Sequence, residues 1–451
     1  MLKIDLKFSV FKYFLLLLLG LMVLPNALGS VYALLFIFYS LTRGRLGCVL
    51  AMLTYLSGII LNPHVFAIPT LPTVNLLIFG FILFVYGRFQ SKGDIAVIRL
   101  MVMIFFVVCL SSAVVYGFNW QVSMLKLTMF FAGLSALLTL LKESQRLQQN
   151  IFLEPLFILL SMLAIFSIPT YFMFAGFAIN GRGFQGAMNH PQGFALAMGS
   201  LFMLCYYRII SKQPGSFLVN VGFMGLAFVF LVFSQSRTSI FALILSLFLA
   251  EIIGYMRGGK MLFVGRIAMN KYVFLGVIFG ICFALLNVDK VKELSNSVLQ
   301  KGSDAGNVQE AFAESRGFLF QAAIRNFKEN KWFGIGFQVS NGKYGGYEMK
   351  VSRDPIFGIP IGASIEKGFL PMAMLEEIGL IGGGIFILIL AKVFLTGIGG
   401  TGYYAASLFF FSIFVNFGEA VLFSLSGYGL LIWMVISTFL CAGLLSRKGN
   451  A

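Results

Sequence analysis

The sequence predicts an all-α polytopic membrane protein of about 14 transmembrane helices (12–14), with one long extracytoplasmic loop that itself contains helices. Three observations predict it. Apolar residues make up 59% of the 451 residues and the mean hydropathy is +0.92, which excludes a soluble fold. Apolar runs close to the roughly 20 residues that cross a bilayer follow one another with only short breaks. The one long break, 287–369, holds nine of the 17 acidic residues and 11 of the 33 basic ones. The chain therefore divides into a bundle of eleven helices over 1–286, the loop over 287–369, and C-terminal helices over 370–451.

The spans fall at 12–26, 30–42, 47–62, 72–87, 95–115, 122–141, 151–170, 191–209, 216–234, 238–256, 271–287, 370–392, 399–418 and 426–445. Lys3, Lys7 and Lys12 precede the first run with no small-residue cleavage site after it, so it reads as a retained helix and not a removed signal. The first two helices are short and share the turn Pro25-Asn-Ala-Leu-Gly29, which leaves open a single longer re-entrant element there. Basic residues then mark every second connection: Arg43 and Arg45, Arg88 and Lys92, Lys142 and Arg146, Arg208 and Lys212, the Arg257–Lys271 stretch, Lys392, and Arg447 with Lys448. These segments and the N-terminal lysines hold 18 Lys and Arg, whereas the opposite short loops, 63–71, 116–121, 171–190, 235–237 and 419–425, hold only Arg182 and Arg237. By the positive-inside rule both termini are cytoplasmic and the long loop is outside. A cysteine introduced near Ser340 is expected to react with a membrane-impermeant reagent on intact spheroplasts; labelling only after lysis would invert the topology.

The formal charge of +16 is explained by the same rule, because the basic residues sit in short inter-helix loops and form no folded nucleic-acid-binding face. The five cysteines all lie within or at the edge of apolar runs, none in the loop, and imply neither a disulfide framework nor a metal site. No compact set of Asp, Glu and His with metal-ligand character stands on the outer side, and no cofactor is expected.

Scarcity gives weight to the two arginines of the outer loops. Arg182 lies in Asn180-Gly-Arg-Gly-Phe-Gln-Gly-Ala-Met-Asn-His-Pro-Gln-Gly193, directly before a helix, and Arg237 lies in the tight turn Phe233-Ser-Gln-Ser-Arg-Thr-Ser239. In the long loop, periodicity predicts a helix over 309–328, stopped by Phe333-Gly-Ile-Gly336. Its spacing puts Phe312, Arg316, Phe320, Ala323 and Phe327 on one face, with Glu314, Gln321, Arg325 and Glu329 pointing away. Arg316 is thus a charge among apolar residues that needs an anionic partner, while Arg325 reads as solvated. Three fixed guanidiniums outside the membrane suit a diphosphate, which the planar fork of arginine binds through two oxygens at once.

Four features in order resemble the O-antigen ligase and O-antigen polymerase (Wzy-type) superfamily of bacterial inner-membrane proteins. They are Arg182 running into Asn189-His-Pro-Gln; Ser236-Arg-Thr; Ser315-Arg followed by Phe333-Gly-Ile-Gly336; and Leu375-Glu-Glu-Ile-Gly-Leu-Ile-Gly382. Arg182 to Gly193 and Arg325 to Gly336 also fit the R-x10-G spacing of polymerases in that family. The resemblance implies an inverting, metal-independent, GT-C-like membrane glycosyltransferase acting on an oligosaccharide linked to undecaprenyl diphosphate. Its surroundings would be membrane lipids, with a flippase and a chain-length regulator as candidate partners and no nucleic acid. It implies diphosphate or substrate contacts by Arg182, Arg237, Arg316 and Arg325, with His190 and Lys367 as further substrate-side candidates. Ligases carry a functional histidine near the end of the long loop, but the only histidines here, His64 and His190, lie outside it. Glu366 and Lys367 stand in that region instead, which favours a polysaccharide polymerase (O-antigen, exopolysaccharide or capsule) over a ligase and makes Glu366 the candidate base. A flippase or transporter for lipid-linked sugar is the rival from another class; it would use in-membrane charges such as Arg99, Lys126, Glu154, Glu251 and Glu419. Of Glu376 and Glu377, in the first turns of the helix after the loop, at least one is expected to interact with the helix dipole.

Overall fold

The structure, a computed structural model, describes residues 2–67, 93–116, 120–179, 183–213, 216–258, 318–339, 343–344, 347–348, 351–353, 360–363 and 368–448. Three apolar helices open the chain: α1 (Leu2–Val23), α2 (Asn26–Leu41) and α3 (Gly44–Ile60). Pro25, extended and unable to donate, separates the first two, so they form two helices and not one re-entrant element. There follow α4 (Asp94–Tyr116), α5 (Trp120–Leu147), α6 (Leu153–Thr170), α7 (Pro191–Ile210), α8 (Phe217–Phe233) and α9 (Arg237–Gly258). In the loop region stand α10 (Phe318–Glu329) and two antiparallel strand pairs, β1 (Lys343–Tyr344) with β2 (Tyr347–Glu348) and β3 (Val351–Arg353) with β4 (Pro360–Ala363). The chain closes with α11 (Leu370–Gly397), α12 (Ala406–Phe414) and α13 (Tyr428–Lys448).

Among the described residues seven helices, α4, α5, α6, α7, α9, α11 and α13, are long and apolar enough to cross a membrane, and α1, α2, α3 and α8 contribute shorter apolar segments. The predicted spans 72–87 and 271–287 lie outside the described residues. One predicted span, 399–418, is not a continuous helix: 3-10 turns at Gly400–Ala405 and Val415–Phe417 flank the nine residues of α12. Its backbone bends are closed by hydrogen bonds such as Gly402 N to Gly399 O at 2.9 Å and Gly418 N to Val415 O at 3.2 Å, as a membrane interior demands. Hydroxyls inside the helices likewise bond back one turn, as Ser57 does to Leu53 O at 2.8 Å and Ser412 to Leu408 O at 2.7 Å.

The most enclosed spans are α7 and α13, and the core around them includes Leu160, Met198, Leu201, Phe411 and Leu431. Ionic contacts staple the bundle at the end away from the loop. Asp94 pairs with Lys392 at 2.7 Å and Arg447 at 2.5 Å, joining α4, α11 and α13. Arg208 of α7 pairs with Glu154 of α6 at 2.6 Å, donates to Asn220 of α8 at 2.9 Å and lies 4.2 Å from the centre of the Phe157 ring.

Candidate functional site

The loop is built into the bundle at a break in α11. Gly379 (φ 63°, ψ −166°) sits in a region of backbone space essentially confined to glycine. The break opens carbonyls at Glu376 and Glu377 and amides at Leu380 and Ile381, which within a bilayer cost several kcal/mol each if left unpaired. The segment Lys331–Gly336 pairs all four along a short strip of backbone: Ile335 N donates to Glu376 O at 2.9 Å, Gly336 N to Glu377 O at 3.0 Å, Leu380 N to Lys331 O at 2.9 Å and Ile381 N to Trp332 O at 3.1 Å. The backbones approach so closely that a Cβ on Gly334 would stand 2.4 Å from the Glu377 carbonyl carbon, and one on Gly379 would stand 2.5 Å from that of Trp332.

Side chains complete the junction. Asn326, fully buried on α10, donates to Glu376 Oε1 at 2.6 Å, and Gln338 N donates to Glu377 Oε2 at 2.8 Å. Lys126 of α5 donates to Gln338 O at 3.3 Å, Gln338 Nε2 donates to Phe423 O, and Ser112 of α4 donates to Phe333 O at 2.5 Å. Phe337 enters the core, with ring centres 6.2 Å from Phe105, 5.3 Å from Phe130 and 5.3 Å from Phe423. Glu376 and Glu377 are thus buried acceptors that hold the loop, which corrects the expectation of a helix-dipole role.

Beside this junction several short segments meet at the same end of the bundle. Arg237 opens α9 and is half-buried. The turn before it receives the 183–190 segment, through Phe184 N donating to Phe233 O at 3.1 Å. The residue after it, Thr238, packs on Gly418, where a Cβ would lie 2.2 Å from Thr238 Oγ1. Asn416 fixes the turn that follows Gly418 by accepting from Val421 N at 2.9 Å and Leu422 N at 3.0 Å. The loop helix reaches this turn through a chain of rings: Phe320 stacks on Phe369 at 5.4 Å, and Phe369 lies tilted 5.6 Å from Phe417. From the other side Tyr428 donates to Asn189 Oδ1 at 2.6 Å, and Asn189 Nδ2 donates to Ile59 O at 2.8 Å.

Of the residues nominated from the sequence, Arg237, Arg325 and His190 are described, whereas Arg182, Arg316, Glu366 and Lys367 lie outside the described residues. His190 caps α7, its Nδ1 accepting from Gln192 N at 3.2 Å ahead of Pro191 at the first helical position. Arg325 is exposed on α10 beside Gln321, Ile324, Lys328 and Glu329, which line an open hollow. The buried side of that helix carries Ala322, Ala323 and Asn326, with Phe320 and Phe327 half-buried. The in-membrane charges meet local partners in separate places: Glu154 pairs with Arg208, Tyr206 donates to Glu251 at 2.7 Å, and Arg99 donates to Thr139 at 2.9 Å. Sequence reasoning missed Asn326, Gln338 and the Gly379 break. The available signal was Glu376-Glu377 followed by Ile378-Gly379 within an apolar run, since two carboxylates in a membrane helix require partners.

The O-antigen ligase family model matches residues 222–365. That range takes in Arg237, Arg316 and Arg325 and ends at Ile365, directly before Glu366. No curated protein matches the chain.

Proposed function

We propose, from the premise that residues 222–365 make this chain a member of the O-antigen ligase and polymerase superfamily, that it is a polysaccharide polymerase of the bacterial inner membrane. It transfers a glycan from undecaprenyl diphosphate to the non-reducing end of another lipid-linked repeat unit, at a site facing the periplasm. The observation that supports this reading most is that Arg237 stands between two turns: Phe233–Ser236, which receives the 183–190 segment, and Phe417–Glu419, which the Phe320 end of the loop helix reaches through Phe369. Arg182 immediately precedes the 183–190 segment and Arg316 lies just before the loop helix in sequence. Three guanidiniums there would neutralise the departing diphosphate through paired N–H donors, fixed in place before the bond breaks. The acceptor hydroxyl needs a general base on the opposite side of the anomeric carbon, and Glu366 is the carboxylate that the sequence nominates.

Ligase-type transfer to lipid A core or another acceptor is the second reading, favoured by the description of the matched family itself. Cells lacking the protein separate these readings. A polymerase leaves single lipid-linked repeat units on the outer leaflet, a ligase leaves finished polymer still on its lipid, and a flippase leaves single units on the inner leaflet. Polymer formation by the purified protein from lipid-linked donor is expected to survive EDTA, and a loss of product that magnesium or manganese restores would refute the metal-independent scheme.

A further inference from the structure

We infer that Glu419 is the general base that takes the proton from the acceptor sugar hydroxyl. The inference rests on the glycan-transfer reading and deepens it. The described carboxylates at the loop end of the bundle are few, and the junction occupies two of them: Glu376 accepts from Asn326 and Glu377 from Gln338 N. Glu329 is exposed on the loop helix among Gln321, Arg325 and Lys328. Glu419 is half-buried, neither sealed in the core nor fully in solvent. It directly follows Gly418, whose backbone lies on Thr238 next to Arg237. At the same end of the bundle Tyr428 donates to Asn189, the neighbour of His190.

Its backbone is held on both sides, since Glu419 N donates to Val415 O at 3.2 Å and Glu419 O accepts from Val421 N at 2.9 Å. A carboxylate carried on so short and fixed a turn has the preorganisation that proton abstraction requires. The turn that carries Glu419 packs against Thr238, the neighbour of Arg237, so a sugar bound there would have the base on one side and the leaving-group cation on the other, as an inverting displacement needs. In the step, the acceptor O–H proton moves to the Glu419 carboxylate and the acceptor oxygen bonds to the anomeric carbon. The bond from that carbon to the diphosphate oxygen breaks, and its electron pair leaves with the lipid diphosphate. The protonated Glu419 then returns its proton to water.

The test uses the full-length protein in vesicles, with donor supplied as the lipid extract of cells lacking it, and farnesyl diphosphate as the probe of diphosphate binding. Glu419→Gln is expected to lower turnover about 100-fold or more while farnesyl diphosphate binding stays at the parental level. Glu419→Ala is expected to regain turnover when formate is added, a response that a merely structural carboxylate does not give. Turnover in Glu419→Gln within about 3-fold of the parent would overturn the assignment, as would loss confined to Glu366→Gln, or an Ala variant that reaches the membrane normally and ignores formate. If Arg237→Ala keeps both binding and turnover, the glycan-transfer reading itself fails; if it loses both while Glu419→Gln loses neither, only the base is misassigned.

Discussion

Gly379→Ala is expected to abolish polymer formation and release the loop junction, with the protein still in the membrane. An alanine at φ 63° and ψ −166° carries about 1–3 kcal/mol of backbone strain. Its Cβ would also meet the Trp332 carbonyl carbon at 2.5 Å, a backbone atom that cannot rotate away. Relief requires the strip at Lys331–Gly336 to withdraw, which surrenders four inter-segment backbone hydrogen bonds, each worth about 1 kcal/mol net and more where the freed groups stay buried. The Asn326 and Gln338 contacts to the two glutamates depend on the same register. Gly384→Ala is the control: it lies in the same helix with nothing within 4 Å of its Cβ position, so alanine there should be neutral or slightly favourable. The readouts are polymer yield at matched membrane levels and trypsin cleavage at Lys331, which should rise only in Gly379→Ala. Parental yield together with a protected Lys331 would show that the junction tolerates a side chain and is not what holds the loop.

Most of the bundle was legible because bilayer thickness and loop charge both act on local sequence. Long apolar runs between lysines and arginines mark α4 to α7 and α9 to within a few residues at most ends. The described part of the loop helix, Phe318–Glu329, was legible from the same kind of signal, since the apolar spacing of Phe320, Ala323 and Phe327 does not depend on distant contacts; residues 309–317 of the predicted helix lie outside the described residues. The break in α11 was not, because hydropathy reads 370–392 as one run and the strip that pairs with it lies some 40 residues upstream in the chain. Glu419 was read in two ways, at the start of the outer loop 419–425 and among the charges a transporter would use, for a related reason. As part of an apolar stretch it looks like a charge within the membrane, but Asn416 turns the chain out of α12's direction and leaves Glu419 on a turn beside Thr238. Both cases are tertiary pairings between segments far apart, which periodicity cannot register.

Arg→Lys at position 237 is expected to cut polymer yield by an order of magnitude or more, with the same result at 182 and 316, while Arg325→Lys stays near the parental level. Lysine keeps the charge but replaces a planar two-pronged donor with a single ammonium, so it can neutralise a diphosphate without fixing its oxygens. That loss falls on the transition state, where the bridging oxygen gains charge, and one displaced donor of this kind costs about 2–4 kcal/mol. Arg237 is half-buried at the start of α9, next to Thr238 on the Gly418 turn, so an ammonium cannot be compensated there by rearranging in open solvent. Arg325 differs in the one respect that matters: it is exposed on α10, on the side away from Asn326 and the junction, where a charge contributes little and lysine supplies the same one. The measurement is polymer length and yield in cells expressing each variant at matched membrane levels, beside farnesyl diphosphate binding by the purified proteins. If Arg325→Lys abolishes polymer while Arg237→Lys and Arg316→Lys do not, the diphosphate lies on the outer face of α10, over the hollow lined by Gln321 and Lys328, and not at the turn that joins α9 to the end of α12.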